Sequence, residues 1–190
     1  MKKFNGYDSA EVYKEQERLP VGAYLLKILS AEEKSYEWGS VLVVSFDIDD
    51  GDYEGYYQNE YKAQTNEDKK WKGNIRINLP KDDGTEKDGW TLRSFKTTIA
   101  AIEESNPGFH WDWDEKKLKG KLIGGLFRNK EYEYNGKTGF FTECCRLISV
   151  DAVKRGKYKL PEDKLLGNKT SSTSSSPLFD AVEEKLPWEV

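Results

Sequence analysis

The chain is poor in the residues from which metal and redox sites are built. Its 190 residues include two cysteines, one histidine and one methionine. Cys144 and Cys145 are adjacent, and neighbours on a strand point to opposite faces. They therefore frame neither a disulfide scaffold nor a paired metal site, and a reducing cytoplasmic environment is expected. The single histidine, His110, stands beside Trp111 and Trp113 and reads as structural. No apolar run approaches the roughly 18 residues of a membrane span, so no membrane association is expected. The first eight residues lack the apolar core of a signal peptide. No Gly-Lys-Ser/Thr phosphate loop, nucleophile elbow or zinc spacing is present, so neither catalysis nor a cofactor is expected. Asp47-Ile-Asp-Asp-Gly-Asp-Tyr-Glu54 gathers carboxylates but fails the calcium-loop spacing. Gly51 stands fifth, Asp52 replaces the sixth-position glycine, and Gln58 stands twelfth. A tight turn explains the cluster better; a metal-dependent nuclease is the alternative it leaves open.

What is present is charge, unevenly placed. The net charge is -4. Residues 1–115 hold 15 basic and 24 acidic side chains, residues 116–160 hold 12 and 4, and residues 161–190 hold 3 and 6. One contiguous basic block thus sits in an acidic chain, and a local field of that kind captures phosphates whatever the net charge.

The chain divides into a polar extension at 1–18, a folded domain at 19–165 and a Ser/Thr linker with an acidic tip at 166–190. Ser9–Arg18 has the pattern of a short helix ended by Pro20. Gly22–Ser30 reads as a strand, and Val41–Asp49 alternates with Leu42, Val44, Phe46 and Ile48 on one face. Asp50-Gly51 reads as a hairpin turn and Tyr53–Tyr61 as the returning strand. Lys62–Asp88 reads as a long excursion interrupted by Ile75-Arg-Ile-Asn-Leu79. A helix with Leu92, Phe95, Ile99 and Ile102 on one face follows, capped by Thr91 and stopped at Asn106-Pro107-Gly108. Two basic, aromatic strands joined by Asn135-Gly136 complete the domain. The expected fold is mainly β: an OB-like five-stranded Greek-key barrel with one helix between strands 3 and 4, plus a disordered acidic tail.

Cations that track a phosphate backbone, mixed with rings that stack on unpaired bases, are the requirements of single-strand binding. Each stack contributes about 1–3 kcal/mol. The last hairpin supplies Lys119, Lys121, Arg128, Lys130, Lys137 and Arg146 with Tyr132 and Tyr134. Phe127 and one of Phe140 and Phe141 are expected in the core. Tyr57 and Tyr61 share a face of the third expected strand. Trp71, flanked by lysines, is placed to clamp a strand, and Arg93 and Lys96 lie off the helix's apolar stripe. In the tip, Phe179, Leu186, Pro187 and Trp188 are apolar anchors of the kind that become ordered on a protein partner. A protein-interaction module using the same rings is the rival reading.

Four segments carry a resemblance: Leu19–Tyr24, Phe46–Tyr57, Ala101–Lys121 and Ser149–Val153. They resemble a phage and prophage family of Gram-positive bacteria found among replication and recombination genes, some members of which are described as single-stranded DNA-binding proteins. The resemblance spans roughly Leu19–Leu165. It implies an OB-type protein of the bacterial host cytoplasm with single-stranded DNA as its ligand. Glu184-Lys-Leu-Pro-Trp188 also resembles the C-terminal peptides by which bacterial single-stranded DNA-binding proteins recruit replication or recombination partners. Here the chain continues through Glu189-Val190. Homo-oligomerisation fits this reading, since weak single sites gain from multivalency.

Overall fold

Leu26, Ile28, Phe46, Phe127 and Ile123 are all but sealed from solvent, and they fix which side of the sheet is inside. The computed structural model describes residues 5, 7–9, 17–65 and 67–167. The expected helix at Ser9–Arg18 and the tip anchors Phe179, Leu186, Pro187 and Trp188 lie essentially outside them. The strands are β1 (Gly22–Tyr36), β2 (Gly39–Ile48), β3 (Asn74–Asn78), β4 (Leu122–Tyr134) and β5 (Lys137–Ile148). They form one open antiparallel sheet of five strands in the order β3-β2-β1-β4-β5. No ladder joins the edge strands β3 and β5, though some of their Cα atoms lie within 8 Å of each other. Register shifts at Leu29 in β1 and at Cys145 in β5 place one unpaired residue in each strand and bend the sheet.

Among the described residues three α-helices accompany the sheet: α1 (Tyr56–Ala63), α2 (Glu86–Ser105) and α3 (Val150–Lys154). As expected, α2 lies between β3 and β4, and Phe95, Ile99 and Ile102 bury its apolar stripe. Leu92, on the same expected stripe, is exposed. The helix starts earlier than the apolar periodicity suggests. Thr85 rather than Thr91 is its cap, accepting from the Asp88 N–H at 3.2 Å. Asn106 ends it, and its side chain both donates to and accepts from the main chain of Leu122, tying α2 to β4.

The third strand is not where the alternation of tyrosines puts it. Tyr56–Ala63 is helix α1, and Asp50-Gly51 opens a turn into that helix rather than a hairpin. The cause is Asp47, a nearly buried carboxylate on β2. It accepts from the N–H groups of Ile48 at 2.9 Å, Tyr57 at 2.9 Å and Gln58 at 3.1 Å. Two of these are free donors of the first helical turn, and the N-cap residue, Gly55, has no side chain to serve them. The true third strand, β3, is the Ile-Arg-Ile stretch inside the expected excursion. It pairs with Val41–Ser45, and Ile77 joins the core.

β1 also runs six residues past Ser30, to Tyr36. The last hairpin forms as expected. Asn135 and Gly136 take φ of 49° and 72°, the two positive values that a tight turn between twisted strands requires.

Candidate nucleic-acid interface

Side chains alternate across a strand, so the register of β4 on β5 decides which residues of the basic hairpin share a surface. Arg128 lies opposite Glu143, Lys130 opposite Phe141 and Tyr132 opposite Gly139. These six positions form one stripe. The Lys130 ammonium sits 5.4 Å from the centroid of the Phe141 ring, and that ring lies 6.2 Å from Tyr132. Tyr132 covers Gly139; a Cβ there would meet its phenol oxygen at 2.6 Å, so the close approach requires glycine. Glu143 holds both cations, at 2.9 Å from Arg128 and 3.5 Å from Lys130. Tyr134 and Lys137, paired across the turn, are exposed at its tip, and Arg146 is exposed beyond the irregularity at Cys145. Phe127 is core as expected, but neither Phe140, which is exposed, nor Phe141, half-buried on the stripe, joins it.

The edge of β4 beyond its pairing with β1 is covered rather than open. The Lys164 N–H donates to the Asn129 carbonyl at 2.9 Å, and the Glu131 N–H donates to the Lys164 carbonyl at 2.8 Å. The Asp163 carboxylate accepts from the Asn129 main-chain and side-chain N–H groups. Residues 163–164 thus satisfy an edge that is otherwise open to pairing with another chain.

Lys119 and Lys121 stand at the start of β4. Main-chain bonds between Gly120, Lys121 and Ile28 hold this segment against β1, and the Lys121 ammonium lies 4.7 Å from the Phe109 ring centroid.

The remaining expected contacts fall on other elements. Tyr57 is only 6% exposed and packs against Phe46 and Tyr56, so it is a core residue rather than a stacking ring. Its burial pushes its phenol pKa well up. Trp71 is half-buried, and its indole N–H is shared between the carbonyls of Gly73 at 2.9 Å and Phe46 at 3.2 Å. Tyr61, half-exposed on α1, lies 5.8 Å from Trp71 with the Lys69 ammonium 5.9 Å from its ring. On α2 the guanidinium of Arg93 lies 5.1 Å from the Trp90 ring, and Lys96 follows exposed one turn later. The structure therefore unites Arg128, Lys130 and Tyr132, and separately Tyr61 with Trp71, and Lys119 with Lys121. It does not set all thirteen residues on one strand face.

Two ring sets escaped the sequence reading. Tyr36 and Trp38 stack at the β1–β2 turn, with centroids 5.2 Å apart and planes 5° from parallel. Reading β1 to its full length places them at a hairpin tip. Trp113, 75% exposed, stacks on Phe95 at 6.4 Å, and Trp111 lies 6.2 Å from it. The two long hairpins leave the sheet in opposite directions. Phe127 stands opposite Gly22, so β4 continues past the start of β1 while β1 continues past the start of β4.

Among the described residues no group of three or more His, Cys, Asp or Glu side chains is placed to hold a metal. No helix among them is long and apolar enough to cross a membrane. A scan against protein-family models finds no match, and a search of curated proteins finds none either.

Proposed function

We propose that this chain binds single-stranded DNA without catalysing a reaction, in phage or prophage replication or recombination within the bacterial cytoplasm. The observation that carries the reading is the β4–β5 stripe, where the Lys130 cation, the Phe141 ring and Tyr132 succeed one another on one face. Cations and rings in that sequence suit a ligand whose phosphates and bases also alternate. Arg128 and Lys130 meet phosphate by exchanging Glu143 for it. Tyr134, Lys137 and Arg146 extend the path.

An OB-like barrel is the fold proposed for this sheet. It is supported by the order β3-β2-β1-β4-β5, by the placement of α2 between β3 and β4, and by the approach of β3 to β5. In this reading Tyr36 and Trp38 supply a second stacking platform on the opposite hairpin. The tip anchors Phe179, Leu186, Pro187 and Trp188 recruit a replication or recombination protein. Replacing Leu186 and Trp188 by alanine is expected to abolish binding to that purified partner in a surface plasmon resonance assay.

The deciding experiment is a fluorescence titration of the full chain with single- and double-stranded oligonucleotides at 50 and 200 mM salt. Single strands are expected to bind more tightly, with little sequence dependence. With about three phosphate contacts, affinity is expected to fall roughly 20-fold across that salt range. The double reversal R128E/K130E is expected to weaken binding about tenfold or more, with a cost in stability because it sets two new carboxylates beside Glu143, and circular dichroism checks that the variant is folded. Affinity that ignores both salt and the reversal overturns the reading. It would favour a protein-interaction module, for which the exposed Trp90, Leu92 and Trp113 are the specific support.

A further inference from the structure

At the opposite end of β4 from the stripe lies a second, differently built basic site. The loop after α2 and the segment leading into β4 line a wide-open surface cavity of about 400 Å³, with Phe109, His110, Asp112, Lys117, Lys119 and Lys121 around it. Both walls are anchored by main-chain bonds. On one side the Phe109 N–H donates to the Asn106 carbonyl at 3.0 Å, and the Trp111 N–H donates to the Glu103 carboxylate at 2.8 Å. On the other, Gly120 and Lys121 exchange hydrogen bonds with Ile28 at 2.7 and 2.9 Å, and Leu118 is fully buried beneath. The lysines therefore project from fixed backbone.

Their charges are not equally compensated. Lys117 is paired with Asp112. Glu103 lies 4.0 Å from His110 and is already engaged by the Trp111 N–H. Lys119 and Lys121 have no carboxylate partner among the described residues; Lys121 rests over the Phe109 ring. The site thus presents two ammonium groups without a carboxylate partner among the described residues, from positions two apart in the chain, with a third paired to Asp112. That is the complement of a dianion. An internal phosphodiester carries one negative charge, whereas a phosphomonoester carries nearly two at neutral pH and has three free oxygens to accept from ammonium groups.

We infer that this cavity binds a phosphomonoester. Its source is either the 5′-phosphate at the end of a DNA strand or the phosphate of a free nucleotide. The first source rests on the strand-binding reading above; the second does not.

The test uses the full chain and four probes: a short oligothymidylate with a 5′-phosphate, its 5′-hydroxyl twin, a 3′-phosphate version and adenosine 5′-monophosphate. The 5′-phosphorylated strand is expected to bind about fivefold tighter than its twin, the gain of a terminal group with nearly two negative charges at two ammonium groups. That ratio is expected to fall to about one in K119Q/K121M, which keeps the aliphatic stem over Phe109 while removing both charges. The single variant K119Q, at an exposed position, is expected to lower the ratio on its own and serves if the double variant does not fold. K121R retains the charge and is expected to preserve the ratio. A preference for the 5′-phosphate over the 3′-phosphate assigns the source to a strand end. Calorimetric binding of adenosine 5′-monophosphate that is lost in the variants assigns it to a free nucleotide. If no phosphomonoester distinguishes the chain from its variants, the inference is overturned, even where the hydroxyl strand binds. If the hydroxyl strand fails to bind while the nucleotide binds, the strand-binding reading falls and the cavity stands.

Discussion

The guanidinium of Arg128 lies 2.9 Å from the carboxylate of Glu143 on the neighbouring strand, and the same carboxylate reaches Lys130 at 3.5 Å. All three side chains are about three-quarters covered, so the pairings are less screened than surface ion pairs. One acid thus does two things. It orders two cations beside the Phe141 ring, and it cancels half the charge they offer to a phosphate.

Removing that acid separates the two effects. E143Q keeps the shape and one acceptor oxygen but frees the field of Arg128 and Lys130. Single-strand affinity is expected to rise about two- to fivefold, with a steeper salt dependence, in the same titration. Stability is expected to drop by about 1–3 kcal/mol in a denaturant melt, because two partly buried cations lose their counter-charge. Affinity that stays level while stability drops would place the strand elsewhere.

Asp47 makes a sharper structural prediction. Its carboxylate serves the N–H groups of Tyr57 and Gln58 from a strand nine residues before α1 begins. D47A leaves the buried Tyr57 donor and the partly buried Gln58 donor without this acceptor and is expected to cost about 1–3 kcal/mol, whereas D47N, which keeps one acceptor, costs less. Equilibrium denaturation of the three proteins checks the order. Equal stability would mean that α1 is capped by other means.

That carboxylate also explains why part of the fold was hidden in the sequence. Tyr53, Tyr57 and Tyr61 recur every four residues, a spacing that satisfies a strand period of two and nearly satisfies a helical period of 3.6. Only Asp47 and the glycine at 55 decide for helix, and the decisive contact is made ten residues away. β3 was obscured because five residues flanked by charge look like an interruption. What makes them a strand is their pairing with β2 and the seat of Gly73 against Phe46 and Tyr57, where a Cβ would meet the Phe46 carbonyl oxygen at 2.4 Å. By contrast β2, the apolar face of α2 and the Asn135-Gly136 turn were legible, because local chemistry and tertiary packing agree there. For the candidate interface, alternation correctly put Lys130 and Tyr132 on one face. It gave no hint that Glu143 lies across from Arg128, because register is a property of two strands.

The adjacent cysteines give a chemical check on the sheet. Cys144 is buried in the core, and burial pushes its thiol pKa well up. Cys145, unpaired in the ladder, directs its thiol to the Leu126 carbonyl at 3.4 Å, and burial raises its pKa less strongly. A thiolate-selective reagent at neutral pH is expected to leave Cys144 unmodified in the native protein, to label Cys145 slowly, and to label both rapidly in denaturant. Peptide mapping by mass spectrometry distinguishes the two sites. Equal native reactivity would contradict the inward face assigned to β5.

The cluster of tyrosines around β1 and α1 predicts how the fold fails in alkali. Tyr24 donates its hydroxyl to the Pro20 carbonyl at 2.8 Å and packs edge-on against Phe127 and Tyr53. Burial, reinforced by Tyr53 and Tyr56, pushes its pKa up to about 12 from 10.0. Burial also raises Tyr56, with Glu60 adding to the effect, and pushes Tyr57 well up. Between pH 10 and 12 the unfolded chain releases these protons while the folded chain keeps them. The folded state then binds more protons, so stability falls as pH rises; the contribution is fully present below pH 10. The expected result is a phenolate absorbance change whose last stage coincides with loss of the near-ultraviolet circular dichroism of the packed rings. Y24F, which cannot ionise, is expected to shallow the decline in stability across that window even though it loses the bond to Pro20. A decline of unchanged slope would show that Tyr24 releases its proton as readily in the folded chain as in the unfolded one.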